Sequence, residues 1–94
     1  MLKDIILVKP LEYYQLYLKF EDSIEGVVDI SKLIEFTGIF SPLEDLTYFF
    51  QVKINPDLGT VCWENGADLD PDVLYSIITN QQIATYEKES VSRF

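Results

Sequence analysis

Apolar residues fall in short, regularly interrupted bursts along the first third of this chain. Asp4 to Lys9 brackets an apolar run closed by Pro10, which has no N–H to give to a sheet ladder. Leu16, Leu18 and Phe20 then alternate with Tyr17 and Lys19, the period-two pattern of a strand with one buried face. Glu21-Asp22-Ser23 reads as a turn, and Glu25 to Ile30, with Val27 and Val28, as an antiparallel partner. Together these segments predict a three-stranded meander.

The rhythm then changes. Ser31 to Phe36 suggests a short helix capped by Ser31 or Asp29, with Gly38 as a left-handed exit. Ser41-Pro42-Leu43-Glu44 predicts a helix start: Ser41 at the N-cap, Pro42 at the first position, Glu44 closing a capping box. Only about two turns fit before Val52, Ile54 and the turn Asn55-Pro56-Asp57-Leu58-Gly59 restore a strand pattern. A hairpin is therefore expected between residues 49–54 and 60–64, with Val61 and Trp63 on a core face and Cys62 on the other. A further helix begins near Pro71, with Asp70 at its N-cap, Asp72 in its first turn, and Leu74, Ile77 and Ile78 as its apolar stripe. Ile83, Ala84 and Tyr86 fit either an edge strand or a continuation of that helix.

These elements predict a single α+β domain over residues 1–94: two layers, a largely antiparallel sheet and two or three short helices, with residues 87–94 as a flexible tail. Composition agrees, since 48% of the 94 residues are hydrophobic and no low-complexity stretch interrupts them. Charge adds more. Sixteen acidic residues against seven basic ones give a formal net charge of −9, and residues 54–86 hold five carboxylates and no Lys or Arg. No three positive residues cluster in the sequence, which argues against direct nucleic-acid binding and against docking on an anionic membrane. One cysteine, Cys62, excludes an internal disulfide, and the apolar runs are too short to span a bilayer, so a cytoplasmic setting is expected.

Candidate chemistry is sparse. With no His, the Ser-His-Asp and Cys-His arrangements and imidazole-bearing zinc sites are out of reach of this chain. The four glycines are too scattered to cradle a phosphate. Asp68, Asp70 and Asp72, with Asn65 nearby, begin like a calcium loop, but Val73 and Thr79 stand where its glycine and bidentate glutamate belong. Helix capping accounts for Asp70 and Asp72 more simply. Glu64 and Asp68 could serve acid–base chemistry only with a cleft and separated pKa values. No catalytic residue, metal ligand or cofactor is assigned. The six tyrosines offer amphipathic contact area, and most are expected at the core edge with a wet hydroxyl.

Gly59 to Tyr75, reading GTVCWENGADLDPDVLY, closely resembles the signature of a family of small, mostly bacterial domains of unknown function. The matching positions are Gly59, Val61, Trp63, Asn65 to Asp68, Pro71, Asp72, Leu74 and Tyr75; Glu64 stands where that family has a small residue or proline. The resemblance implies a compact α+β domain. Some members carry a C-terminal helix-turn-helix and others accompany small partner proteins, so any regulatory role inferred from the resemblance would have to run through a partner. The leading expectation is a non-catalytic protein-interaction or regulatory module for a protein partner, a basic one by charge. Tyr13, Tyr14, Tyr17, Glu64 and Asp68 are its candidate surface. The alternatives are a small carboxylate enzyme or hard-metal domain centred on Glu64–Asp72, and a structural subunit of a homo-oligomer.

Overall fold

Antiparallel pairing of β1 (Ile5–Pro10), β2 (Gln15–Phe20) and β3 (Glu25–Asp29) builds a meander in the order β1-β2-β3. The computed structural model describes residues 3–91, with side chains described through residue 81. Opposed residues of antiparallel strands share a face. Val8, Leu18 and Gly26 therefore face inward in one row, and Pro10, Leu16 and Val28 in another. The unbroken apolar run of β1 is resolved by a register shift between Ile5 and Leu7, which leaves Ile6 unopposed and exposed while Ile5 stays buried.

The connection from sheet to hairpin is helical but wound more tightly than expected. Asp29 accepts a hydrogen bond from Ser31 N–H at 3.0 Å and caps a 3-10 turn over Ile30–Lys32. A second 3-10 segment covers Gly38–Glu44, with Pro42 in its interior rather than at an α-helix start. The α-helical cap falls instead on Asp45, whose carboxylate takes Thr47 N–H at 2.9 Å and opens α1 (Leu46–Phe49). Leu43 is wholly buried, so the tight winding around Pro42 also turns an apolar side chain into the core.

Because Phe49 belongs to α1, the hairpin strands are short: β4 is Lys53–Asn55 and β5 is Thr60–Cys62. Their loop follows the expected Asn55–Gly59 turn, with Asn55 accepting from Asp57 N–H at 2.9 Å and Gly59 in the left-handed region at φ 67°. Gly59 also gives its carbonyl to Ile5 N–H at 2.9 Å, so the second hairpin sits against the start of β1. The chain then folds back on β5: Trp63 N–H donates to Ala67, and Leu69 N–H to Val61. Both faces of β5 are therefore buried within this chain, Cys62 included, and the Thr60 hydroxyl is satisfied by the Leu69 carbonyl at 2.6 Å.

The last element is α2 (Pro71–Val91), longer than a short helix; its run takes in Ile83, Ala84 and Tyr86, and residues 92–94 of the expected tail lie outside the described residues. Asp70 caps it, accepting from Asp72 N–H at 2.9 Å. Leu74 and Ile78 are buried and Ile77 is partly so, as the stripe predicted. The helix approaches β3 closely because Gly26 has no side chain: a methyl group there would stand 2.9 Å from the Ile78 side chain. At its other edge, Tyr75 stacks edge-on against Phe20 at 5.0 Å and donates its hydroxyl to Asp22 at 2.6 Å, tying α2 to the β2–β3 turn.

Two expectations follow from this seam. Gly26→Ala should destabilise the domain by about 1–3 kcal/mol in urea unfolding, through overpacking against Ile78. The hydrogen bond from Tyr75 holds the Asp22 carboxyl below its ordinary range. A lowered folded pKa contributes stability above the unfolded value and loses it as pH falls through the folded one. The excess thermal stability of the wild type over Tyr75→Phe should thus be full at neutral pH and vanish in acid below the usual carboxylate range. Melting curves of both proteins across pH 2–7 check this; a pH-independent difference would contradict it.

Candidate functional site

The first hairpin turn places two adjacent tyrosines in opposite environments. Tyr13 and Tyr14 both adopt left-handed backbone, at φ 55° and 66°. That conformation costs a non-glycine residue roughly 1–2 kcal/mol, so contacts elsewhere must hold it. Tyr14 supplies them. Its ring lies 4.8 Å from Phe36 and 5.4 Å from Phe49, and its hydroxyl donates to the Glu44 carbonyl. Tyr13, by contrast, is 74% exposed.

Tyr17 lies on the outer face of the sheet, in a row with Lys9 and Val27; Leu7, Lys19 and Glu25 form the next row. Its hydroxyl donates to Glu25 Oε1 at 2.8 Å, and that hydrogen bond, aided by burial, raises the phenol above its usual pKa. This face brings together two lysines that are ten residues apart in sequence, and interleaves them with Leu7 and Val27, each more than a third exposed. Period-two reading assigns that face to solvent without revealing how apolar it is.

Glu64 and Asp68 belong to the second hairpin and its return. Glu64 pairs with Lys53 at 2.9 Å across an exposed surface; the hydrogen bond and the attraction of the ammonium lower the carboxyl and raise the amine. Asp68 is exposed, and its backbone bridges Cys62. Among the described residues, no hydrogen bond, ion pair or ring contact joins either acid to Tyr13, Tyr14 or Tyr17. The five candidates thus occupy separate settings: a turn, a core edge, a sheet face and a second hairpin.

The acidic stretch has structural duties. Asp70 caps α2, and Asn65 holds the turn by accepting from Ala67 N–H at 3.1 Å and donating to the Ile39 carbonyl at 2.9 Å. Among the described residues, no three Asp, Glu, Cys or His groups converge in a way that could hold a metal ion. No described helix is long and apolar enough to cross a membrane.

Sequence reading missed a half-open cleft of about 220 Å³ between the end of β3 and α2, lined by Val28, Asp29, Lys32, Leu33, Ile77 and Gln81. Its walls come from chain segments more than forty residues apart. The only local signal is the spacing of four between Ile77 and Gln81, which puts both on one helical face.

A family model described as "Protein of unknown function (DUF2442)" matches residues 5–80, from the first strand to the middle of α2. No curated protein and no solved structure matches the chain.

Proposed function

The chain belongs to this DUF2442 family of proteins of unknown function, and from its surface we propose that it is a non-catalytic protein-interaction module with a basic protein partner. The observation that carries the reading is Tyr13. The fold sustains two consecutive left-handed tyrosines, packing one half-buried ring against the core and holding the other in water on a fixed turn. Strain of this kind concentrates at functional sites. A tyrosine on an ordered turn brings large contact area at low entropic cost, and tyrosine is enriched among interface hot spots. The formal net charge of −9 favours a basic partner by electrostatic steering.

Tagged chain purified from its native cell, with the mass of any stoichiometric complex measured, tests the reading. Tyr13→Asn retains a residue that tolerates left-handed backbone. It should weaken the complex by roughly 30-fold, the scale of a 2 kcal/mol hot spot, with little change in melting temperature. A chain that stays a solitary monomer across native-like concentrations and salt would sink the proposal.

A further inference from the structure

The order β1-β2-β3 makes β3 an edge strand. Along an antiparallel strand, successive residues point their backbone groups alternately toward and away from the partner. Ile30 N–H donates to the Tyr14 carbonyl at 2.9 Å and Phe20 N–H to that of Ile24 at 2.8 Å, which fixes the phase. Residues 24, 26, 28 and 30 turn toward β2. Val27 and Asp29 consequently turn their N–H and C=O groups outward.

The cleft opens beside this same edge, with Val28 and Asp29 in its wall. Val28 faces inward, so a strand laid along β3 would place the side chain opposite Val28 on the inner face, over the cleft. A volume of about 220 Å³ is below the roughly 300–1,000 Å³ typical of small-molecule pockets. It suits one apolar side chain.

Charge selects the occupant. Full antiparallel overlap of β3 with a second copy centres on Val27 and sets Glu25 against Asp29 at both ends. Like charges directly opposed are destabilising, and two chains of net charge −9 repel at longer range. A strand carrying lysine or arginine outside an apolar anchor meets neither objection. We propose that the β3 edge is the docking site for an extended basic segment of a partner protein, which adds as a fourth strand and seats one apolar side chain in the cleft. This rests on the interaction-module reading and assigns it a surface distinct from Tyr13.

Val27→Pro is the diagnostic variant. It removes an N–H that points away from β2, so the existing ladder keeps its bonds, and proline is tolerated on an edge strand. The probe is a capped seven-residue peptide alternating lysine with valine and leucine; its glutamate counterpart is the control. Added to the full chain, the lysine peptide should slow amide exchange at Val27 and Asp29. Its affinity should fall at least tenfold in Val27→Pro, whose circular dichroism and melting should match the wild type. Gln81→Trp, which narrows the cleft without touching the strand, should weaken binding as well. Unchanged affinity in both variants, protection at another surface, or equal binding of the glutamate peptide overturns the proposal. A native complex that survives Val27→Pro also rejects the edge while leaving the interaction reading intact. If no native complex exists, the interaction reading fails and the peptide result still decides the edge.

Discussion

A buried hydrogen bond from the Trp63 indole N–H to the Phe49 carbonyl at 3.0 Å fastens the second hairpin to the helical connection, two parts that local sequence does not join. Phe49 ends α1, and Trp63 follows β5. Leaving either group buried and unpaired costs about 1–3 kcal/mol, so the hairpin and the helical connection are fixed together. The rings add to this. Trp63 lies 5.7 Å from Phe49, and Phe49 meets Tyr14 edge-on at 5.4 Å, carrying the contact from the second hairpin into the first.

The same chain of rings sets the surface. Once Tyr14 is committed to Phe49 and Phe36, the left-handed turn leaves Tyr13 no place in the core. The exposed ring is a by-product of its half-buried neighbour, held by the same packing that orders the interior. Elsewhere along the same core, Ile78 against Gly26 and Tyr75 against Asp22 hold α2 in place, which sets one wall of the cleft. Both surface features therefore owe their shape to rigid elements rather than to long loops, the arrangement that makes binding geometry inexpensive to maintain.

Those parts of the structure governed by neighbours in sequence were legible beforehand. Asp70-Pro71-Asp72 starts α2 because a cap and a first turn need only adjacent residues. The Asn55–Gly59 loop and the alternation of β2 are local in the same sense. Ser41-Pro42 misleads because two caps compete within five residues, and Asp45 opens the α-helix. The shortening of β4 reflects Phe49's recruitment by Trp63, fourteen positions away. Cys62 required knowledge of a return strand that covers it. The candidate surface suffered most: composition identified interface-capable tyrosines but had no means to send Tyr14 inward and Tyr13 outward, or to bring residues 28–33 and 77–81 to one cleft.

The register shift at Ile6 gives the first sheet two unlike borders. β1 lies against the second hairpin, with Ile5 bonded to Gly59, and its strand is kinked where Ile6 is squeezed out. Among the described residues, no further strand pairs with the β3 border. A sheet with two open borders can be extended from both sides and so polymerise; one with a single open border is saturated by one added strand. With Ile5 engaged by Gly59 and Ile6 out of register, the start of β1 is a poor template, and strand addition confined to β3 would stop at one added strand.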